Sequence, residues 1–313
     1  MSAVNDMAQP LPPAVAARVL RYAAFTYRGS GGNPAGVLLD AADLDDSVRL
    51  AVAAQVGYSE TAFVDAQGGD GRYRMRFFSP LAEVSFCGHA TIAAAVAIAD
   101  REGPGLLEFS TLSGLIAVQT RVSPHGTTAT LTSVPTHTRP TETKELDQAL
   151  SALHWQPGDL DPRYPAHVAY GGNEHLVLAV RERSLLAALD YDYSSLDALM
   201  ADRAWTTVQL VWAESRTLFH ARDPFPPGGV IEDPATGAAA AAFGGYLRIL
   251  GLVDLPAQVT VMQGEDMGRP SRLLVDLSTD DDRVDVTGTA GPLPIADSSV
   301  TDVMLNRTPP SSK

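Results

Sequence analysis

The chain has 313 residues, 45% of them hydrophobic, which is enough for a sizeable core in one large domain or two of ordinary size. Its formal net charge of −14 disfavours nucleic acid and an anionic membrane as main partners, because the long-range field repels both, although a small acidic substrate responds to the local field of its site. The single cysteine, Cys87, excludes an intrachain disulfide, and no apolar run is long enough to span a membrane, so the sequence predicts a cytoplasmic protein.

The first half of the chain alternates strand-like segments with turns. A helix is predicted at 43–56, where apolar residues recur at helical spacing. The glycine-rich segment Arg28–Gly36 is predicted to be a loop, and it lacks the Gly-Lys-Ser/Thr ending of a phosphate-binding loop. Strands are predicted at 19–26, 37–39, 72–78, 106–110, 115–121 and 127–132, with another that starts within 57–64.

A polar, glycine-containing segment then leads into an apolar, alanine-rich stretch. Cys87, Gly88 and His89 come directly before it, and Ala93–Ala99 contains no polar residue. A helix that is apolar all round must be surrounded by other structure. The sequence therefore predicts a buried helix near 88–100 whose first turn opens onto an interior or a cleft.

The second half repeats this organisation after the segment Ser133–Lys144, which is rich in Pro and Thr and is the best candidate for a domain boundary. Helices are predicted at 145–153 and 184–199. Strands are predicted at 166–170, 175–180, 208–212, 217–220, 258–263, 272–277 and 283–288.

A second polar entrance, Gly229–Gly237, leads into another apolar helix, predicted near 235–250. Asp233 is expected to be its N-cap and Pro234 its first helical residue. The unpaired N–H groups of the first turn suit an anion such as a substrate carboxylate. The alternative is a buried helix that merely begins with a good cap.

Many strands plus one buried helix, twice over, predict a duplicated α+β fold. A doubly wound sheet is disfavoured because regular strand–helix alternation is absent. The predicted domains are 15–132 and 133–300, and the two helix entrances are expected to face one cleft.

Three side chains are candidates for chemistry. Glu60 precedes the apolar Ala62-Phe63-Val64, and a half-buried carboxyl group there suits proton transfer. His89, at a helix entrance, suits hydrogen bonding or proton holding. Each has a structural alternative: a surface carboxylate at a strand start for Glu60, a core histidine for His89, and a helix cap only for Asp233.

Several motifs occur in an order that resembles the PhzF-like phenazine biosynthesis family, from about Tyr22 to about Gly288. They are Gly32-Asn33-Pro34-Ala35-Gly36, Ser59-Glu60-Thr61-Ala62-Phe63, Phe78-Ser79-Pro80, Glu83, Cys87-Gly88-His89-Ala90-Thr91, Glu232-Asp233-Pro234-Ala235-Thr236-Gly237 and Gln263 to Ser271.

This resemblance implies the diaminopimelate epimerase-like fold, in which two pseudo-symmetric domains each wrap a curved, mostly antiparallel sheet around a central helix. It implies a homodimeric isomerase that works without metal or organic cofactor on a small carboxylate-bearing substrate. Glu60 matches the general acid/base, and His89 and Asp233 match the residues that bind and polarise the substrate. The implied substrate-binding residues are Gly88, Thr236, Gly237 and Ala238.

The chain departs from the family pattern at two positions. Ala238 replaces a serine that is usual at the second helix, and Ala90 replaces a frequent proline. With only Cys87, a two-thiol epimerase mechanism is not available, and Cys87 is expected to be a small buried residue.

Two other functions stay open. One is epimerisation by Cys87 together with a carboxylate, and the other is a non-catalytic carboxylate-binding or interaction protein of the same fold. No metal site is predicted, because the seven histidines form no His-x-x-x-His pair and a Cys-x-x-Cys pair is absent. Gly-x-Ser-x-Gly is absent as well, which disfavours a hydrolase.

Overall fold

Seventeen strands and seven α-helices occur in the part of the chain that the computed structural model describes, residues 12–67 and 70–294. The helices are α1 Pro13–Ala16, α2 Asp46–Val56, α3 Gly88–Glu102, α4 Thr143–Ala152, α5 Arg183–Ala187, α6 Tyr193–Arg203 and α7 Gly237–Ile249. The α+β prediction is confirmed.

The strands carry most of the chain and join in one continuous sheet. They are β1 Leu20–Ala24, β2 Asn33–Leu39, β3 Thr61–Ala66, β4 Arg72–Phe78, β5 Glu83–Val84, β6 Leu106–Thr111, β7 Gly114–Ser123, β8 Gly126–Thr132, β9 His137–Pro140, β10 His167–Tyr170, β11 Glu174–Val180, β12 Trp205–Ala213, β13 Leu218–Pro224, β14 Glu232–Asp233, β15 Ala257–Gln263, β16 Ser271–Leu277 and β17 Val284–Pro292.

Helix α3 lies inside the sheet formed by the first half of the chain. Its residues from His89 to Ala99 are all buried, and it packs against β1, β2, β3, β7, β8 and β17. Alanines at most of these positions keep the helix narrow, so that strands approach it from several sides. The sequence prediction of a buried helix at this place is confirmed.

Helix α7 has the same relation to the second half of the chain. Ala239–Leu247 is buried, and the helix packs against β9, β10, β11, β12, β16 and β17. Gly245 is required there, because a Cβ atom at this position would lie 2.4 Å from the side chain of Thr136. This second buried helix was also predicted correctly.

Strand β17 packs against both buried helices, α3 and α7. It pairs antiparallel with β16, and also with β1 and β8. Strands from both predicted domains therefore share hydrogen bonds in one sheet. The two pseudo-symmetric domains and their division between residues 132 and 133 stay predictions, and the predicted limit at residue 300 lies outside the described residues.

The predicted helix start at Asp233 and Pro234 is wrong. Asp233 lies in β14, paired with Asp223 of β13, and α7 begins at Gly237 after Thr236. The carboxylate of Asp233 accepts hydrogen bonds from Asn33 and from the Thr236 hydroxyl instead of from the first helical turn. Long-range partners thus override the local capping preference.

Two further boundaries differ from the prediction. Asn33–Gly36 was assigned to a loop but begins strand β2, which pairs antiparallel with β1. Pro34 is tolerated there because the registered pairing of β2 with its other neighbour, β3, starts only at Gly36. The single helix predicted at 184–199 is two helices, α5 and α6, because Asp192 caps a new helix by accepting from the N–H of Ser195.

None of the described helices is long and apolar enough to cross a membrane. The predicted cytoplasmic location and homodimer stay predictions.

Candidate active site

The N-terminal ends of α3 and α7 face one small cavity. Gly88, the first residue of α3, lines it together with Gly237 and Ala238 from the first turn of α7. The cavity encloses about 30 Å³, room for one or two water molecules. Most of its remaining wall is apolar and includes Phe25, Phe86, Ile92, Leu131 and Val286.

Glu60 is fixed at the entrance to β3. Its backbone carbonyl accepts a hydrogen bond from the N–H of Gly36 at 3.1 Å, and its side chain is 16% exposed. Its Oε2 atom lies 3.5 Å from Nε2 of His89 and 3.5 Å from Sγ of Cys87. The fold therefore places Glu60 beside His89 and adds Cys87 as a close neighbour.

Cys87 immediately precedes α3 and is buried, as predicted from its residue type. Its Sγ atom lies 3.4 Å from Nδ1 of His89. Burial, together with the negative charges of Glu60 and Asp233, raises the pKa of the Cys87 thiol well above its usual value. The thiol is therefore neutral near pH 7 when no cation is present.

Asp233 is held by donors from distant parts of the chain. Its Oδ1 accepts from the side-chain amide of Asn33 at 2.7 Å, and its Oδ2 accepts from the Thr236 hydroxyl at 2.6 Å. Both the Asp233 and the Asn33 side chains are buried. The geometry fixes the carboxylate directly before the start of α7.

The electrostatics connect Asp233 to the residues at α3. The pKa of Asp233 is raised from 3.8 to about 6, with burial as the largest cause and the charge of Glu60 acting in the same direction. His89 and the hydrogen bonds from Thr236 and Asn33 act in the opposite direction. Asp233 therefore changes its protonation state close to neutral pH.

Thr236 has both of its polar groups engaged within the protein. Its N–H donates to Oε1 of Gln263 at 3.1 Å, and its hydroxyl accepts from Nε2 of Gln263 at 3.0 Å while it donates to Asp233. Thr236 thus orients Asp233.

The backbone N–H groups of Gly237 and Ala238 come next in the first turn of α7. The first N–H groups of a helix have no partner inside the helix, and for these two no acceptor occurs within residues 12–67 and 70–294. These two N–H groups point out of the N-terminal end of α7, where the helix dipole is positive, and both features favour the binding of an anion. Ala238 contributes no hydroxyl.

Three site residues had no role assigned from the sequence. Asn33 is the single polar residue of strand β2, and that contrast is a signal in the sequence. Gln263 shares β15 with the polar Gln258 and Thr260, so no such contrast marks it. Phe25 has φ of +62°, a left-handed conformation that is rare for a bulky residue. Its ring packs against Gly237, where a Cβ atom would lie 3.3 Å from Cζ of Phe25. Local sequence gives no signal for this conformation.

Three buried polar residues, Asp223, Thr207 and His175, form a chain of hydrogen bonds, and Asp223 pairs with Asp233 in the sheet. Thr207 donates to Oδ1 of Asp223 at 2.9 Å, and its hydroxyl oxygen therefore accepts from Nδ1 of His175 at 2.8 Å. Burial lowers the pKa of His175 to about 3 and raises the pKa of Asp223 well above its usual value. His175 is therefore neutral near pH 7, and burial favours the protonated form of Asp223.

Comparisons with known proteins agree on one family. The model of the PhzC-PhzF family, described as phenazine biosynthesis-like protein, matches residues 22–294. The trans-2,3-dihydro-3-hydroxyanthranilate isomerase of Pseudomonas chlororaphis is 28% identical over 272 residues, 85% of this chain and 93% of that protein. An uncharacterized isomerase of Deinococcus radiodurans is 31% identical over 284 residues, 88% of this chain and 91% of that protein.

A solved structure shares the fold. The phenazine biosynthesis protein of the PhzF family from Bacillus anthracis superposes with a TM-score of 0.78 at 24% identity, covering 88% of this chain and 96% of that one.

Proposed function

The chain belongs to the PhzC-PhzF family of phenazine biosynthesis-like proteins, and from that premise we propose that it is a cofactor-independent isomerase that moves a proton within a small carboxylate-bearing substrate. One observation carries the proposal. The Glu60 carboxylate lies 3.5 Å from His89 at the start of α3, and its charge raises the pKa of Asp233, which lies just before α7. The starts of these two helices line one cavity.

In this proposal Glu60 is the general acid/base. It takes a proton from a carbon next to an unsaturated or carboxylate group and returns it elsewhere on the same face of the substrate. A single group that gives back the proton it took needs no second catalytic base. His89 and Asp233 bind the polar substituents of the substrate.

The substrate carboxylate binds at the first turn of α7 in this account. Two unpartnered N–H groups, those of Gly237 and Ala238, and the positive end of the helix dipole support this assignment. Phe25 and the other apolar residues of the wall then cover the carbon skeleton.

Substrate entry requires the cavity to open. Its 30 Å³ hold one or two waters, whereas small-molecule pockets are about ten times larger. We infer that two pseudo-symmetric domains, one from residue 15 to 132 and the other from residue 133 onward, change their angle about the sheet that they share through β17, so that the two helix entrances open to admit the substrate and then close over it. Closure then excludes water from Glu60. A homodimer is part of the proposal, since two-fold dimers are the commonest assemblies.

Epimerisation by Cys87 with a carboxylate is the second candidate, favoured by the influence of the Asp233 charge on the Cys87 thiol. Two bases that act on opposite faces of one carbon must each lie about 3 Å from it, and are therefore roughly 6 Å apart. The Sγ to Oε2 distance of 3.5 Å leaves no room for a carbon between Cys87 and Glu60, which disfavours Glu60 as the partner. This candidate therefore requires Asp233 as the second base.

Turnover of trans-2,3-dihydro-3-hydroxyanthranilate, the compound in the name of the Pseudomonas relative, tests the proposal. We expect the wild type to isomerise it, and Glu60→Gln to lose a factor of about 10² or more while still binding the carboxylate. Glu108→Gln is the matched control, because it removes a carboxylate that pairs with Arg72 at the surface. Equal turnover by wild type and Glu60→Gln would refute the assignment. Binding without turnover in the wild type would favour the non-catalytic alternative.

A further inference from the structure

Glu60, Cys87 and His89 form a group of three potential metal ligands. The structure contains this one such group among residues 12–67 and 70–294. The triangle of Oε2, Sγ and Nε2 has sides of 3.5 Å from Glu60 to His89, 3.5 Å from Glu60 to Cys87 and 3.8 Å from Cys87 to His89.

These distances match the edges of a zinc coordination tetrahedron. With Zn–S near 2.3 Å and Zn–N and Zn–O near 2.0–2.1 Å, tetrahedral angles put the ligand atoms roughly 3.3 to 3.6 Å apart. All three observed separations lie within about 0.3 Å of that range. A cation at the centre of the triangle lies about 2.1 Å from each of the three atoms. The imidazole turns so that Nε2 faces the cation, because Sγ lies nearer to Nδ1, at 3.4 Å.

The donor types narrow the choice of cation. A thiolate, an imidazole and one carboxylate suit Zn²⁺ and its neighbours Co²⁺ and Cd²⁺, whereas Mg²⁺ and Ca²⁺ prefer oxygen ligands alone. Three protein ligands leave a fourth position for water or a ligand carboxylate.

The site also has the charge for a cation. Glu60 supplies a negative charge at the site, and Cys87 becomes a ligand only as the thiolate. A divalent cation bound by these atoms therefore takes the place of the thiol proton. Binding should therefore release about one proton per cation.

We propose that Glu60, Cys87 and His89 bind a thiophilic divalent cation of the Zn²⁺ class, and that the bound cation inhibits the enzyme. Inhibition follows because the cation occupies the carboxylate that is to move the proton; this second clause rests on the proposed function, and the binding clause does not. Sequence motifs do not predict this site, since Cys87 and His89 are two residues apart and Glu60 lies 27 residues from Cys87.

Co²⁺ titration of the purified full-length protein, freed of metal, tests the binding clause directly. A thiolate ligand produces a near-ultraviolet sulfur-to-cobalt charge-transfer band, and Cys87 is the only cysteine of the chain, so the band has one source. We expect saturation at one Co²⁺ per chain, release of about one proton, and loss of the band when Zn²⁺ is added.

Two variants test whether Cys87 and His89 are ligands of the cation. Cys87→Ser should abolish the band and lower the affinity at least about tenfold, and His89→Gln should weaken binding while the protein stays folded. His220→Gln is the matched control: His220 lies 2.5 Å and 2.8 Å from the carboxylates of Glu265 and Glu214 without a thiol nearby. We expect this variant to bind Co²⁺ as the wild type does.

The outcomes separate the two clauses. If the folded wild type gives no charge-transfer band, or if Cys87→Ser binds Co²⁺ as tightly, the site is refuted whatever the enzyme's activity. If the band appears and Zn²⁺ leaves turnover unchanged at saturation, the inhibitory clause is refuted, and the role of Glu60 in proton transfer is refuted with it.

Discussion

The side-chain amide nitrogen of Asn33 lies 2.7 Å from Oδ1 of Asp233, across 200 residues of sequence, and both side chains are buried. The same nitrogen donates to the carbonyl of Ala235 at 3.0 Å. One amide from strand β2 therefore fixes the segment that leads into α7, and it favours the ionised form of Asp233.

Asn33→Leu removes this donor while it keeps the number and branching of the side-chain heavy atoms. Because a buried carboxylate loses a partner, we expect the free energy of unfolding to fall by about 2 kcal/mol, and the pKa of Asp233 to rise above its present value of about 6. Urea unfolding and a carboxyl NMR titration measure the two effects. Gln258→Leu, which breaks an exposed amide–carboxylate bond to Asp276, is the control and should cost far less. Equal costs at the two positions would contradict the role given to Asn33.

Asp233 should make stability depend on pH with a definite sign. Its pKa is raised from 3.8 to about 6 in the folded protein, so the folded state holds the proton more tightly. The associated stabilisation is complete below about pH 4 and is lost as the pH rises through 6, a change of roughly 3 kcal/mol. In Asp233→Asn this loss of stability is absent. The free energy of unfolding of the variant should therefore rise relative to that of the wild type between pH 4 and pH 7.

Urea unfolding of both proteins at several pH values measures that difference. The comparison with the variant is necessary because His175, with a pKa lowered from 6.5 to about 3, acts in the opposite direction over an overlapping range. Asp281→Asn is the control: its carboxylate is exposed and Arg283 lowers its pKa, so the sign reverses. A difference between Asp233→Asn and wild type that is constant with pH would show that Asp233 titrates normally.

Ala238→Ser places a hydroxyl group at the first turn of α7, on the wall of the cavity. A hydroxyl beside the two free N–H groups should give a bound carboxylate one more hydrogen bond, worth about 1 kcal/mol or a roughly fivefold lower dissociation constant. Calorimetric titration with a small cyclic carboxylate measures it. Ala198→Ser, at an exposed position of α6, is the matched control and should leave binding unchanged. Unchanged affinity in Ala238→Ser would show that the carboxylate does not bind at the start of α7.

Much of the fold follows from the sequence because its strongest signals are local. The two predicted helices near 88–100 and 235–250 are apolar on all sides, and such helices must be buried within other structure, here the strands. Strand β4 alternates as predicted, with Tyr73, Met75 and Phe77 buried and Arg72 and Arg74 exposed.

The site is less predictable because its contacts are long-range. Asp233 looks like a helix cap locally, and only its pairing with Asp223 and its bond to Asn33 show otherwise. Phe25 adopts its left-handed backbone conformation because the surrounding strands impose it. Local propensity therefore does not predict this conformation. The family motifs included Asn33 and Gln263 without indicating what they hold.

Solvent-deuterium exchange tests the central claim, that Glu60 moves the proton, most directly. In D₂O the wild type should transfer deuterium to a carbon of the bound substrate, because a fraction of the protons that Glu60 takes exchanges with solvent deuterons before Glu60 returns them. Glu60→Gln should slow that incorporation by about 10² to 10⁴-fold while it binds the carboxylate with unchanged affinity. Incorporation at the wild-type rate in folded, ligand-bound Glu60→Gln would contradict the account.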